Sequence, residues 1–185
     1  MAIDLVFITG NQYKADYLAQ NLGRPVRHQK IDLEEIQSLD LLTVVKHKAI
    51  SAYNIVGSPV LIEDIALSFH ALNGLPGPLI KWFMTTLGNA GVAELAERLN
   101  TQDATVTIMY GLYDGEELHT FEASTSGHIA DRPRGNDGFG FQDIFIPTGC
   151  DKTFAEMTDE EMKPYYHRLK ALNKLRIYLE QLQRA

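Results

Sequence analysis

Val60-Leu61-Ile62-Glu63-Asp64, followed a few residues later by Leu72-Asn73-Gly74-Leu75-Pro76-Gly77-Pro78-Leu79-Ile80-Lys81-Trp82-Phe83, is the stretch on which the fold turns. The apolar triplet is too short for a helix and is bounded by Gly57-Ser58-Pro59, so it reads as a short, buried, central strand. Two carboxylates come directly after it, then a loop punctuated by glycine and proline, then Lys81 at the mouth of a helix. That order is expected to bring acidic metal ligands and a basic phosphate contact to one edge of a sheet. Opposite charges so placed suit a metal-bound anion.

Outward from this stretch the chain alternates strand and helix. Asp4-Leu5-Val6-Phe7-Ile8-Thr9 reads as a buried first strand, broken by Gly10-Asn11. Residues 12–22 then carry Tyr13, Tyr17, Leu18 and Leu22 at helical spacing. Residues 41–56 fit a second helix with Leu42, Val45, Ala49, Ala52 and Val56 on one face. Beyond the Pro/Gly loop, 79–87 and 91–99 suggest two helices parted by Gly88-Asn89. Residues 105–110 and 117–129 form a hairpin around Asp114-Gly115, and 143–146 a further strand. Thr158 and Glu161 make a capping box that starts a last helix running to about residue 183, with Leu169, Leu172, Leu175, Leu179 and Leu182 as its apolar stripe. The mixture predicts an α/β domain around a mixed sheet.

Composition narrows the class. The chain has 185 residues, 45% hydrophobic and 22% charged, which is ordinary for one globular domain. No apolar run approaches the ~20 residues that span a bilayer, and Met1-Ala2-Ile3-Asp4 lacks the basic start and apolar core of a signal peptide. With Cys150 the single cysteine, no internal disulfide can form, and the expected setting is a reducing cytoplasm. Net charge is −7 and the isoelectric point about 5.3. A duplex binder needs a broad basic surface, so nucleic acid polymers are disfavoured and single nucleotides are not.

Four constellations carry chemistry. Thr9-Gly10-Asn11-Gln12-Tyr13-Lys14 is a strand end, a glycine turn and a helix start, where unpaired amides attract phosphate; a plain turn with a surface lysine is the alternative. Glu35, within Asp32-Leu33-Glu34-Glu35-Ile36-Gln37, joins Glu63 and Asp64 as a carboxylate set. Magnesium takes such oxygens and leaves room for phosphate, while a remaining carboxylate can orient or deprotonate water. The alternative for 32–35 is a solvated acidic loop. In Gly138-Phe139-Gly140-Phe141-Gln142-Asp143 the aromatics either stack on a base or pack into the core. His167-Arg168 can donate hydrogen bonds to carbonyl acceptors, or simply face solvent. The six histidines show no zinc spacing, and Ser124, Ser126 and Cys150 lack a nucleophile motif.

Taken together these pieces resemble the inosine triphosphate pyrophosphatase family, in the family's order and over nearly the whole chain. The matching segments are Thr9-Gly10-Asn11 with Lys14, Asp32-Leu33 with Glu35-Ile36-Gln37, Val60-Leu61-Ile62-Glu63-Asp64 and 72–83. Later come Thr125-Ser126-Gly127, Pro133-Arg134-Gly135, Thr153-Phe154-Ala155-Glu156-Met157 and His167-Arg168. The resemblance implies a single domain over 1–185. Its α/β fold would be built on an elongated, curved, mixed central sheet flanked by helices, in two lobes with the active-site cleft between them. It also implies a homodimer, and magnesium-dependent cleavage of a nucleoside triphosphate between its α- and β-phosphates, with Mn2+ as a substitute ion. No nucleic acid polymer or membrane enters that reaction.

Carried over by position, Thr9, Gly10, Asn11, Lys14, Lys48 and Lys81 would contact phosphates. Glu35 and Asp64 would hold the metal, with Glu63 a further candidate, and Asp64 and Lys14 would be catalytic. Phe139, Gly140, Phe141 and Gln142 would wall the purine, and His167 and Arg168 would read its 6-oxo group. This chain departs from the family pattern at Gln142-Asp143, at Met162 and Lys163, at Tyr166, and at Ile65-Ala66. A catalytically weakened binding protein, or an enzyme with shifted base preference, therefore stand as alternative readings.

Overall fold

The computed structural model describes residues 5–136 and 138–184, so Asp4, the expected start of the first strand, lies outside the described residues. Its elements are β1 (Val6–Ile8), α1 (Gln12–Leu22), β2 (Arg27–Gln29), α2 (Leu41–Val56), β3 (Val60–Phe69), β4 (Pro76–Gly77), α3 (Ile80–Glu97), β5 (Asp103–Tyr113), β6 (Leu118–Ile129), β7 (Phe145–Pro147), α4 (Asp159–Met162) and α5 (His167–Arg184). Seven strands make one mixed sheet in the order β2-β1-β3-β5-β6-β7, with β4 paired to β3. β1 runs parallel to β2 and β3, while β4 on β3 and β7 on β6 are antiparallel. Helices flank the sheet, as the α/β reading predicts.

Two helices start and stop where their sequences dictate. Asn11 caps α1 by accepting the Lys14 amide, and Asp40 caps α2 by accepting those of Leu42 and Thr43. Both helices end on glycines, Gly23 and Gly57, in the left-handed conformation that spares a Cβ. Their buried faces share Leu18 in α1 and Val45, Ala49 and Ala52 in α2 with the expected ones and differ at the other positions. In α1 the buried residues are Ala15 and Leu18, while Tyr13 is exposed and stacks on Tyr17. In α2, Leu41, Val44, Val45, Ala49 and Ala52 are buried and Leu42 faces out.

The described residues form two compact units. One gathers those of Met1–Asp64, Ile108–Ala123 and Arg168–Ala185, and the other those of Ile65–Thr107 and Ser124–His167. In the first, Phe7, Val45, Leu61 and Tyr110 are fully enclosed; in the second, Phe69, Phe145, Phe154 and Ile144 are. Gly127 belongs to the second, where a Cβ would lie 2.1 Å from the carbonyl oxygen of Ile146. Only glycine lets β6 and β7 approach so closely there.

Two expectations are corrected, and one strand appears that no sequence pattern announces. The strand predicted at 60–62 continues to Phe69, so Glu63 and Asp64 lie within β3 and not after it. A second apolar run makes the extension possible: Ile65, Ala66, Leu67 and Phe69 keep the strand apolar, and the last three are buried. The last helix is two helices. Thr158 and Glu161 do form a capping box, but α4 ends at Met162 and α5 begins at His167. Pro164 lies between them, and its missing N–H and ring bar a continuous helix. On α5 the buried apolar residues are Ala171, Leu172, Leu175 and Leu179, while Leu182 is exposed. β2 carries no hydrophobic signal at all: Arg27, His28 and Gln29 are exposed and form a strand only by pairing with β1.

The separation of two helices at Gly88 holds as a break inside α3, where that residue takes φ 67° and ψ 170°. The hairpin holds too. Asp114 closes it by accepting the amides of Glu116 and Glu117.

Candidate active site

Because successive side chains of a strand point to opposite faces, the neighbours Glu63 and Asp64 acquire separate partners. Glu63 is enclosed, its side chain 2% exposed. Its Oε1 lies 3.0 Å from the Lys14 ammonium of α1. Its Oε2 takes a 2.7 Å hydrogen bond from the Tyr110 hydroxyl of β5 and an ion pair from the Arg168 guanidinium of α5. Burial alone would raise this carboxyl above its ordinary value. The charges of Arg168 and Lys14 and the Tyr110 hydroxyl outweigh burial and hold it at about 2. Tyr110 is pushed well up by burial and then by the Glu63 charge, so it stays a donor.

Asp64 meets a different lysine. Lys48 of α2 donates to Asp64 Oδ2 at 2.7 Å and to Glu35 Oε1 at 3.1 Å. One ammonium thus gathers two carboxylates that are 29 residues apart in sequence, from Glu35 to Asp64. Burial would lower the Lys48 pKa, but Asp64 and then Glu35 outweigh it and keep it above its ordinary value.

The donor chemistry of this cluster fits a hard divalent cation. Carboxylate oxygens suit magnesium, which keeps waters and takes phosphate oxygens besides one or two protein carboxylates. Among the described residues no group of three or more His, Cys, Asp or Glu side chains is placed to hold a metal. Glu35 and Asp64 are two carboxylates that could hold such an ion together with phosphate oxygens. Glu63 is committed to Lys14, Arg168 and Tyr110, which leaves it poorly disposed to join them.

The turn before α1 is ordered by its own side chains. The Asn11 amide donates to Thr9 Oγ1 at 3.1 Å, and Asn11 Oδ1 accepts the Lys14 amide at 3.3 Å. Gly10 lies against the Lys30 stem, whose carbons stand 3.0 Å from where a Cβ would be. Lys14 projects from the first turn of α1 onto Glu63. This places Thr9, Gly10, Asn11, Lys14, Glu35, Lys48, Glu63, Asp64 and Arg168 in one compact unit.

Lys81, Phe139, Gly140, Phe141, Gln142 and His167 belong to the other unit. Lys81 stands in the first turn of α3, its ammonium 5.9 Å from the Trp82 ring. Phe141 is buried, while Phe139 is half-buried. Asn89 donates to the Gly140 carbonyl at 2.7 Å and to Asp143 Oδ1 at 2.5 Å, tying the loop to α3. Gln142 is buried: its Oε1 accepts the Phe139 amide at 2.7 Å and its Nε2 donates to the Tyr166 hydroxyl at 2.9 Å. His167 is enclosed and meets the rings of Phe154 and Tyr166 edge-on.

Two partnerships escape sequence reasoning. Tyr110 reads only as a strand residue, and its partner is 47 positions away. Gln142 and Tyr166 are separate departures from a pattern in sequence, yet they are hydrogen-bonded in space.

A mixed sheet carrying a buried carboxylate clamped by lysine, arginine and tyrosine, with a second carboxylate pair gathered by one ammonium, defines an α/β protein equipped for anion chemistry. The chain belongs to the Ham1 family, whose pattern it matches over residues 5–178. It is 39% identical over 180 residues to "Inosine triphosphate pyrophosphatase" of Schizosaccharomyces pombe, covering 95% of each chain. It is 42% identical to "Inosine triphosphate pyrophosphatase 2" of Trypanosoma cruzi, covering 94% of this chain and 91% of that one. Among solved structures, a HAM1 protein from Coxiella burnetii superposes with a TM-score of 0.85 at 24% identity, over 97% of this chain and 99% of that one. A nucleoside-triphosphatase, dITP/XTP pyrophosphatase, from Mycobacterium abscessus superposes at 0.74 with 27% identity, over 92% and 97%.

Proposed function

We propose that this protein hydrolyses deaminated purine nucleoside triphosphates (ITP, dITP and XTP) to the monophosphate and pyrophosphate, clearing them from the nucleotide pool. The observation that carries this reading is the Glu35–Lys48–Asp64 cluster, in a chain 39% identical along almost its whole length to a relative named for inosine triphosphate pyrophosphatase activity. The chain would act as one domain over 1–185, in the cytoplasm; no described helix is long and apolar enough to cross a membrane. No nucleic acid polymer is a partner.

In this mechanism Glu35 and Asp64 would hold Mg2+, with Mn2+ as a substitute. The ion would neutralise phosphate charge and polarise the phosphoryl oxygens when bound. Lys14, Lys48 and Lys81 contact the phosphates, as do the backbone and side chains of Thr9, Gly10 and Asn11 at the start of α1. Asp64 orients the attacking water and takes its proton at a carboxylate oxygen while the water oxygen bonds to the α-phosphorus. The α–β bridging oxygen leaves with pyrophosphate, its charge met by lysine. Phe139, Gly140, Phe141 and Gln142 wall the purine, and His167 and Arg168 address its 6-oxo group. A site built to hydrogen-bond that carbonyl rejects adenine, because its amino group leaves the donors unpaired.

Glu63 is better assigned as the support that aims Lys14 and Arg168 than as a metal ligand, since all its observed partners are cations and a hydroxyl. The buried Gln142–Tyr166 hydrogen bond favours a second reading, in which base preference is shifted by a changed pocket wall.

With magnesium, ITP and XTP are expected to yield monophosphate and pyrophosphate, with ATP, whose 6-amino group leaves the donors unpaired, at least about a hundredfold poorer in kcat/KM, and GTP also poorer. A panel including modified pyrimidine triphosphates, read by chromatography, separates the two readings. Orthophosphate as the product contradicts the bond assignment. Tight nucleotide binding by calorimetry without any product would instead make the chain a binding protein.

A homodimer is the expected working unit. The homodimer rests on the family resemblance. Sedimentation should give about twice the 20.8 kDa of one chain; a single-chain mass at micromolar concentration removes this assignment.

A further inference from the structure

We propose that Lys48 is an internal stand-in for the divalent cation: it holds Glu35 and Asp64 together in the absence of metal and must leave them for the metal to bind. The inference rests on the reading above that Glu35 and Asp64 are the metal-holding carboxylates. It goes beyond that reading by giving Lys48 a role before any nucleotide arrives.

The geometry carries it. The ammonium lies 2.7 Å from Asp64 Oδ2 and 3.1 Å from Glu35 Oε1, close to both carboxylates at once. Only 15% of the Lys48 side chain is exposed, so the contact is held by the fold as well as by charge. Without a cation between them, two convergent carboxylates repel. With the ammonium in place the cluster carries one negative charge. A divalent ion entering beside the ammonium would share the same oxygens with a like charge at contact distance, which is unfavourable even in a partly solvated site. Metal and ammonium therefore compete for one place.

Lys48 has a destination when displaced. A triphosphate brings oxygens that accept the ammonium, so the metal–nucleotide complex both removes Lys48 from the carboxylates and supplies it with new partners. Free metal offers no such exchange. The consequence is weak binding of free metal and strong binding of the metal–nucleotide complex. The order of binding is then built into one side chain, and the same lysine passes from metal substitute to phosphate contact.

The test needs no turnover. Mn2+ is titrated into purified, nucleotide-free wild-type protein and into Lys48→Met, Lys48→Gln and Lys48→Arg, with free Mn2+ followed by electron paramagnetic resonance. The neutral variants are expected to bind Mn2+ about tenfold more tightly than wild type, because the competing charge is gone. Lys48→Arg keeps the competing charge and should show none of the tightening expected of the neutral variants. In metal-free buffer the neutral variants should melt below wild type and regain the difference when Mn2+ is added.

Unchanged or weaker Mn2+ affinity in folded Lys48→Met and Lys48→Gln overturns the proposal. So does a neutral variant that fails to fold without metal and gains nothing from Mn2+. A variant that folds only with Mn2+ supports it. Wild-type Mn2+ binding by Asp64→Asn would sink the metal assignment beneath the proposal. Failure of the substrate reading appears elsewhere, as absent ITP turnover with the Mn2+ titrations unaffected.

Discussion

Asp64→Asn is expected to lower kcat for pyrophosphate release from ITP by about a thousandfold or more, with the fold retained. The substitution is nearly isosteric, and an asparagine carbonyl can still accept the Lys48 hydrogen bond that Asp64 now takes at 2.7 Å. What it removes is charge. A neutral amide neither takes a proton from water nor holds a hard cation as a carboxylate does. Loss of a positioned base alone costs about two to four orders of magnitude, and weakened metal binding adds to it. The measurement is single-turnover release of pyrophosphate, with circular dichroism to show an intact fold. Near-normal turnover in the variant would remove Asp64 from its role.

The second large effect falls on stability. Glu63→Ala should destabilise the protein by about 3–5 kcal/mol, the usual result of removing one partner from a buried ion pair. Arg168 has a side chain only 3% exposed and would keep its charge in a site built around a carboxylate. For a chain of this size the melting temperature should fall by about 10 °C. Glu63→Gln should cost less, because its amide oxygen can still accept from Tyr110 or Arg168.

The same carboxylate governs the response to acid. Its pKa is lowered on folding from 4.5 to about 2, so the folded state binds its proton more weakly than the unfolded chain. The stabilisation is therefore present above pH 4.5 and is lost as pH falls from there toward 2. Melting temperatures across that window should drop more steeply for wild type than for Glu63→Gln. Parallel slopes for the two proteins would show that acid sensitivity arises elsewhere.

Much of this protein is legible where interactions are local. The Thr158 cap was read from the sequence, and those at Asn11 and Asp40 work by the same local means, each satisfying amides within three residues. Gly57 marks the end of α2, and Asp114 the turn between β5 and β6, through equally local hydrogen bonds. The end of β3 is not legible, because Glu63 and Asp64 interrupt the apolar run that would announce a longer strand. Nor is β2, whose exposed residues become a strand only through β1. The break at Pro164 was written in the sequence, but the capping box at 158–161 and the leucines beyond it imitate one continuous helix.

The site divides along the same line. Glu35 and Asp64 stand out from the sequence as candidate metal-holding carboxylates, Lys48 enters only through the family resemblance, and the structure brings those three together. Tyr110 does not stand out, and neither does the joining of Gln142 to Tyr166. A tyrosine or a glutamine carries no mark of its partner until the chain has folded.

By itself the sequence determined the α/β alternation, the main helix starts and the supply of carboxylates and lysines, since these follow from short-range hydrogen bonding and from residue chemistry. Only the tertiary structure decided what each charge does. Glu63 and Asp64 are neighbours in sequence, but the pleat of β3 turns them apart. One is enclosed with Arg168, 105 residues away, and the other is gathered with Glu35 by Lys48. A carboxylate becomes a support or a reactive group according to the cations that packing places beside it, and that packing is a property of the whole fold.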